Sequence, residues 1–378
     1  MTASVERPAR SSRRKAKGGL LAGVRQGLTA WLSRPLASFH LLLAVFGLLA
    51  VIGLVMVLSA SAVQDAQKTT LSSFGKPMLL DSLGLIGFYL GLRVPLRWLR
   101  QFSPTLLLIA GGLLALVLTP LGSGANGRDH SWFTLGSLSF QPVELAKVAL
   151  ALWGAHVLVT KRALLSQYRH LLVPLVPVSM VLFALIMLQP DLGSTVSLGI
   201  VLLALLWYVG APARLFAVVL TSATAAVIVS SIGSGYRSDR LTVFLNPGSD
   251  PLGAGQQPLQ ALYALADGGL FGRGLGQGAA KFDYLSNVQN DFIFALIGEE
   301  LGFIGAIVVL GLFAMLAVVG LRIAARNTDP WIRLVAAALT AWVVGQAAIN
   351  VGYVIGLLSG SRGITLPLIW AGRHVNRE

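Results

Sequence analysis

Residues 40–62 read HLLLAVFGLLAVIGLVMVLSASA, an uncharged and strongly apolar run of membrane-spanning length. An α-helix needs about 20 apolar residues to cross a bilayer. The segment before this run, residues 1–38, is a tail with eight Lys and Arg and a single acid, Glu6. A cleaved signal peptide has a shorter apolar stretch, so the sequence predicts a retained first transmembrane helix with a cytoplasmic N-terminus.

Eight further apolar runs follow the first one, which makes nine predicted spans. They cover about residues 78–94, 103–121, 142–160, 170–188, 192–210, 213–233, 291–321 and 331–358. Hydrophobic residues make up 55% of the chain and charged residues only 12%, where a soluble protein carries about 25% charged residues. These features predict an all-α polytopic membrane protein and exclude a water-soluble enzyme. The absence of cysteine excludes disulfides and thiolate metal sites.

The basic residues are distributed unevenly between the predicted loops. Cytoplasmic segments hold 18 Lys and Arg and outer segments hold seven, in agreement with the positive-inside rule. The net charge of +14 is therefore mostly an orientation signal, and no nucleic-acid partner is expected. We predict a basic cytoplasmic tail over 1–38, a transmembrane domain over 39–372 and a short tail over 373–378. A long extracytoplasmic loop, 234–290, joins spans seven and eight.

Charged side chains inside a span are informative because burying them in lipid is costly. Glu144 and Lys147 lie three residues apart in the fourth span, so they share one helix face and can pair. They form either a structural ion pair or part of the lining of a substrate cavity. Asp191, which directly precedes the sixth span, is expected to cap the N-terminus of that helix.

Three carboxylates lie at the start of the eighth span. Asp291 directly follows the long loop at the outer membrane edge. It either caps the helix or serves as a general base at the mouth of an outward cavity. Glu299 and Glu300 lie two turns deeper in the same span. They relay protons or bind cations, or one of them pairs with a base such as Lys147 or Arg273.

Basic residues and glycines in the long outer loop are typical of an anion site. The run 268–278 contains six glycines, and its backbone N–H groups would suit a pyrophosphate. The glycines otherwise serve tight turns at the membrane surface. The basic residues expected to assist in binding the pyrophosphate are Arg237, Arg240, Arg273 and Lys281.

One aromatic residue in an earlier outer loop is also a candidate. Trp132 is either a membrane anchor or a platform on which a sugar ring stacks. The sequence contains no recognisable metal-binding motif, and its five His are scattered. The residues that would hold a metal are therefore unknown from the sequence.

Several motifs, in this order along the chain, resemble the SEDS family of peptidoglycan polymerases, whose members are called FtsW and RodA. They are SASA (59–62), SWF (131–133), QPVELAK (141–147), QPDLG (189–193), RLTVFLNP (240–247), DPLGAG (250–255), DFIFALIGEELG (291–302) and NVG (350–352). The similarity covers about residues 39–370. The stretches RP (34–35), SFH (38–40) and WGAH (153–156) most resemble the actinobacterial FtsW branch. The family has ten spans, so the resemblance implies that this chain lacks the last transmembrane helix.

The resemblance implies a glycosyltransferase that polymerises lipid II into β-1,4 glycan strands on the outer face of the bacterial cytoplasmic membrane. The expected role is septal cell-wall synthesis during cell division, and Asp291 matches the essential Asp of the family. The resemblance also implies a divalent cation, Mg²⁺ or Mn²⁺, and a class B penicillin-binding protein and other divisome proteins as partners. Two other functions stay open: a lipid II flippase or transporter, and a truncated, inactive scaffold that recruits the division transpeptidase.

Overall fold

The structure, a computed structural model, describes residues 36–64, 70–122, 131–135, 138–165, 167–189, 191–232, 256–278 and 291–357. Most of the predicted N-terminal tail and all of the predicted C-terminal tail lie outside these residues. The helices are α1 (Ala37–Gln64), α2 (Thr70–Arg93), α3 (Leu96–Gln101), α4 (Ser103–Leu116), α5 (Pro142–Thr160), α6 (Tyr168–Leu172), α7 (Leu175–Met187), α8 (Leu192–Tyr208), α9 (Ala213–Ile232), α10 (Gln256–Asp267), α11 (Ile293–Arg326) and α12 (Pro330–Val354). A 3₁₀ turn covers Arg162–Leu164, and an antiparallel hairpin of β1 (Phe133–Leu135) and β2 (Leu138–Phe140) precedes α5.

The helices lie where the apolar runs predict them. Five described segments are long and apolar enough to cross a bilayer: Ala37–Ala60, Pro142–Thr160, Tyr168–Met187, Ile293–Arg326 and Pro330–Val354. Shorter apolar segments cover Ser82–Arg93, Ser103–Leu116, Leu192–Tyr208 and Ala213–Ser222. The prediction of a helical membrane protein is confirmed. Two of these shorter segments are parts of the longer helices α2 and α9, and the number of nine spans stays a prediction.

Two elements outside the spans were not expected from the sequence. The hairpin β1–β2 has strands of three residues each, too short for an alternating pattern to be recognised. The segment 234–290 is described over 256–278 only, and there it contains the amphipathic helix α10. Ala261 and Ala264 are buried on one face of α10, within the same core cluster as the N-terminal part of α11.

The apolar core consists of two clusters that share α12. One cluster packs α1, α10 and the N-terminal part of α11 against the C-terminal part of α12, with Met56 and Phe292 fully buried. The other packs α4, α5, α7 and α8 against the N-terminal part of α12, with Leu150 and Trp331 buried. Because α12 contributes to both clusters, it connects the two halves of the bundle.

Asp191 lies at the N-terminus of α8, as predicted. Its carboxylate accepts hydrogen bonds from the backbone N and the Oγ of Ser194, at 2.9 and 2.6 Å. The same carboxylate accepts a hydrogen bond of 3.3 Å from Nε2 of Gln141, the residue before α5. The N-cap is thus confirmed, and it also ties the start of α8 to the start of α5.

The helix α11 is interrupted at Gly302, which has a φ of 72°. Such a break leaves backbone groups without helical partners, and the interior of a bilayer has no water to replace them. The glycine run 268–278 supplies hydrogen-bond partners for two of these backbone groups. Its residues Arg273 and Gly274 donate their N–H groups to the carbonyls of Glu299 and Glu300, at 2.9 and 3.1 Å.

Hydrogen bonds also run from α11 to the glycine run. Phe303 and Ile304 donate their N–H groups to the carbonyls of Gly269 and Leu270, at 2.9 and 3.2 Å. In total, six N–H groups of the run 268–278 donate to backbone carbonyls. The prediction that these N–H groups would hold a pyrophosphate is therefore wrong for those six, because carbonyls already occupy them. The glycines instead allow two backbone segments to lie in direct contact.

Candidate active site

Asp291 lies half-buried just before α11. Phe292, not Asp291, occupies the N-cap position of this helix, so the interpretation of Asp291 as the N-cap is not supported. The backbone of Asp291 is held from a second helix: its carbonyl oxygen accepts a hydrogen bond of 3.0 Å from Nδ2 of Asn350 in α12. Asn350 is fully buried, so this contact fixes the peptide that carries the Asp291 side chain.

Asn350 belongs to a row of side chains along α12. Trp342, Gln346 and Asn350 are four residues apart and therefore lie on one helix face; we call them the polar stripe. Nε1 of Trp342 donates a hydrogen bond of 2.7 Å to Oε1 of Gln346. At 1.5 Å per residue, the polar stripe extends about 12 Å along the helix.

Lys147 of α5 contacts the same stripe. It is only 1% exposed, and its Nζ lies 2.9 Å from Oε1 of Glu144, so the predicted pairing of these two residues is confirmed. Nζ also donates a hydrogen bond of 3.3 Å to Oε1 of Gln346 and lies 4.9 Å from the ring centroid of Trp342. The polar stripe thus connects the buried ion pair with the backbone of Asp291. A substrate-binding role for Glu144 and Lys147 stays a prediction.

Replacing Lys147 by methionine is expected to lower the free energy of unfolding by about 2 kcal/mol, because the largely buried Glu144 loses its cation. The double variant Lys147→Met/Glu144→Gln should recover most of this loss, since it removes both charges together. A double-mutant cycle of chemical unfolding in detergent measures the coupling. If the two single losses add without recovery, the two charges do not compensate each other.

Glu299 and Glu300 are both buried, each 1% exposed, in the turn before the break in α11. Ser59 of α1 donates its hydroxyl to the Glu300 carboxylate, with Oγ 2.7 Å from both oxygens. The expected basic partners Lys147 and Arg273 form their salt bridges with other carboxylates. Glu300 therefore ties α11 to α1. A proton-relay or cation-binding role for the two glutamates stays a prediction.

The structure locates one of the four predicted pyrophosphate-binding residues. Arg273 is exposed in the glycine run, and its Nη2 lies 3.2 Å from Oδ2 of Asp267. Outside the described residues lie Arg237, Arg240 and Lys281. Trp132 is half-buried beside the hairpin β1–β2, and neither of its two interpretations is tested. The roles of these residues in substrate binding stay predictions.

The sequence did not identify the residues that connect the site. Trp342 and Gln346 belong to none of the family-like motifs, and Asn350 and Ser59 belong to the NVG and SASA motifs. One signal for the stripe was present: polar residues four apart within an apolar span usually share a buried face. The partner of each residue, in contrast, lies on another helix and leaves no local pattern.

Comparison with known proteins gives consistent matches. Residues 39–373 match the family model of FtsW, RodA and SpoVE, described as "Cell cycle protein". The "Probable peptidoglycan glycosyltransferase FtsW" of Mycobacterium tuberculosis (strain ATCC 25618 / H37Rv) is 50% identical over 346 residues, which cover 91% of this chain and 66% of the relative. "Stage V sporulation protein E" of Bacillus subtilis (strain 168) is 39% identical over 293 residues, covering 76% of this chain and 80% of the relative.

A solved structure shares the architecture. It is described as "Structural coordination of polymerization and crosslinking by a peptidoglycan synthase complex". The match has a TM-score of 0.72 at 25% identity and covers 91% of this chain and 94% of that chain. The chain spans 66% of the length of the mycobacterial relative, just under two thirds.

Proposed function

Because this chain belongs to the FtsW, RodA and SpoVE family of cell cycle proteins, we propose that it polymerises lipid II into β-1,4 glycan strands. The chain is an integral membrane protein. The proposed place of reaction is the outer face of the bacterial cytoplasmic membrane, with the N-terminus in the cytoplasm. The similarity to a probable peptidoglycan glycosyltransferase supports the activity, and the family description favours septal synthesis during cell division.

The observation that carries this proposal is the position of Asp291. This residue lies half-buried at one end of a membrane-embedded bundle, before a helix whose N-cap is another residue. The buried amide of Asn350 holds its backbone. A carboxylate fixed in this way is suited to accept a proton from a substrate whose sugars lie outside the bilayer.

The proposed reaction is a single displacement. The 4-hydroxyl of the acceptor sugar attacks C1 of the donor sugar, the C1–O bond to the lipid-linked pyrophosphate breaks, and the configuration at C1 inverts. Asp291 takes the hydroxyl proton while the new C1–O4 bond forms. Basic side chains neutralise the charge on the departing pyrophosphate. The candidates for this role are Arg237, Arg240, Arg273 and Lys281.

A divalent cation is part of the proposal. No group of three or more His, Asp or Glu side chains lies together as metal ligands do in the part of the chain that the structure describes. Mg²⁺, however, commonly binds through one or two carboxylates together with substrate phosphates, and the half-buried Asp291 carboxylate fits that pattern. Such a cation would supply further neutralisation of the pyrophosphate.

The proposed partner is a transpeptidase of the class B penicillin-binding type. The solved structure with the same architecture is described as a synthase complex that coordinates polymerization with crosslinking, and crosslinking requires a transpeptidase. Lipid II as the ligand and other divisome proteins as further partners follow from the same family resemblance.

Replacing Asn350 by alanine is expected to lower the kcat of polymerisation about tenfold, because the peptide of Asp291 loses its buried hydrogen bond. The KM for lipid II should change little, since Asn350 acts on the position of Asp291 and not on the substrate. Ile349→Ala, one residue away on the same helix, is the control and should leave kcat nearly unchanged. A purely structural role of Asn350 would lower the yield of folded Asn350→Ala while leaving its kcat per folded molecule intact.

Lipid II turnover by the full chain tests the proposed function. The chain is purified with its transpeptidase partner, placed in vesicles with labelled lipid II and Mg²⁺ or Mn²⁺, and the products are separated on a gel. Glycan strands are the expected result. Movement of lipid II across the vesicle membrane without strands would replace the proposal by a transporter. Binding of the partner with neither product would replace it by a scaffold.

A further inference from the structure

We propose that the end of the bundle opposite to Asp291 carries a binding site for a phosphate group. A cleft of about 440 Å³ lies there between α3, the C-terminal part of α5 and the start of α12. Sites for small molecules typically occupy about 300–1,000 Å³. Trp331 in the cleft and Asn350 beside Asp291 are 19 residues apart on α12, so the two sites are about 28 Å apart along that helix.

Two arginines of α3 line the cleft. Arg97 and Arg100 are three residues apart, which places them on one face of this short helix. Within the described residues, neither guanidinium forms a salt bridge with a carboxylate. A guanidinium presents a planar fork of N–H donors that matches the oxygens of a phosphate, so the pair offers two such forks to one ligand.

His156, near the C-terminus of α5, adds a third polar group to the lining. Its Nδ1 is buried and has no hydrogen-bond partner among the residues that the structure describes. Leaving a buried polar atom unpaired is costly, and buried polar atoms in proteins almost always have a partner. The Nδ1 atom is not open to the cleft, so a phosphate oxygen would become its partner only after the imidazole turns toward the cleft.

The acidic residue in the lining, Asp329, is already engaged. Its Oδ1 accepts a hydrogen bond of 2.8 Å from the backbone N of Trp331 and so caps α12. The Trp331 ring is buried and donates Nε1 to the carbonyl of Leu152 at 3.1 Å, which fixes this wall of the cleft. The cleft therefore combines two arginines and a histidine with a single carboxylate that is held as a helix cap, a combination that favours an anion.

Two kinds of compound carry a phosphate group that would fit this cleft. One is the phosphodiester of an anionic phospholipid in the adjacent leaflet, and the other is a soluble phosphate compound. The positive-inside rule predicts that this end of the bundle faces the cytoplasm. The groups that line the cleft recognise the phosphate itself, so both sources are probed in the same experiment.

The test is binding to the delipidated full chain in detergent. Phosphatidylglycerol is followed by native mass spectrometry and inorganic phosphate by calorimetric titration. We expect the variant Arg97→Gln/Arg100→Gln to bind about tenfold more weakly whichever of the two probes binds the unmodified chain. Two charge-assisted contacts to the phosphate are lost in this variant. The control Arg93→Gln/Arg333→Gln removes two exposed charges that do not line the cleft, and it should bind like the unmodified chain.

The two probes separate the sources. Binding of phosphatidylglycerol alone supports the site with a lipid as its ligand, and binding of inorganic phosphate supports it with a soluble ligand. If the glutamine variant does not fold, Arg97→Lys/Arg100→Lys takes its place. This variant keeps both positive charges but lacks the planar N–H donors of the guanidinium, so it should bind the probe about threefold more weakly than the unmodified chain. The proposal is overturned if neither probe binds the unmodified chain, or if the cleft variants bind as tightly as the control.

Discussion

A Gly272→Ala variant is expected to lose about 3 kcal/mol in free energy of unfolding. Gly272 has a φ of 79°, a conformation that costs an L-residue about 1–2 kcal/mol. A Cβ at this position would also overlap the backbone carbonyl of Glu300, and relief of such overpacking typically costs a further 1–3 kcal/mol or so. The carbonyl cannot move away easily, because it accepts the N–H of Gly274 across the break in α11.

Alanine variants of two other glycines distinguish the free-energy cost of a positive φ from the cost of the close contact with α11. Gly269 also has a positive φ, 52°, but open space surrounds its Cβ position within the described structure, so Gly269→Ala should cost only about 1 kcal/mol. Gly311 lies in regular helix with open space, so Gly311→Ala should be neutral or slightly stabilising. Chemical unfolding in detergent measures all three variants. Equal losses at Gly272 and Gly269 would contradict a close contact between the glycine run and α11.

The spans were predictable because a long apolar run is a signal of composition that needs no partner to be recognised. The break in α11 was not. The predicted span 291–321 contains no proline and continues past Gly302, and the hydrogen bonds that stabilise the break come from the separate segment 268–278. Gly302 is one of several glycines in this helix, and nothing in the local sequence distinguishes it as the point of interruption.

The same distinction applies to the candidate site. The cap of Asp191 and the pair of Glu144 with Lys147 are contacts within one turn, and local spacing predicted both. The bond from Asn350 to Asp291 joins residues 59 apart in sequence. The bond from Ser59 to Glu300 joins residues 241 apart. Such contacts are set by how the helices pack, which one sequence alone does not specify.

Replacing Asp291 by asparagine is expected to lower the rate of lipid II polymerisation by about 10²–10⁴-fold, the usual contribution of a general base. The asparagine side chain has nearly the same shape but does not accept the proton of the attacking hydroxyl. The hydrogen bond from Asn350 goes to the backbone carbonyl of residue 291, which the substitution leaves in place. The fold should therefore persist, and the loss of rate would report on the carboxylate alone.

Asp191→Asn is the matched control for this variant. Asp191 lies at the same end of the bundle, where it caps α8 and contacts Gln141. Asparagine caps helices about as well as aspartate, so this variant should fold and polymerise within about twofold of the unmodified chain. The same chemical change at two positions then separates a general loss of negative charge from the loss of the base.

The most direct measurement is the rate of glycan-strand formation by Asp291→Asn beside the unmodified chain and Asp191→Asn. Each protein is assayed with the transpeptidase partner, labelled lipid II and a divalent cation, at equal amounts of folded protein. We expect strands from the unmodified chain and from Asp191→Asn, and a rate at least about 100-fold lower from Asp291→Asn. Strands formed by Asp291→Asn at the unmodified rate would contradict the assignment of Asp291 as the base.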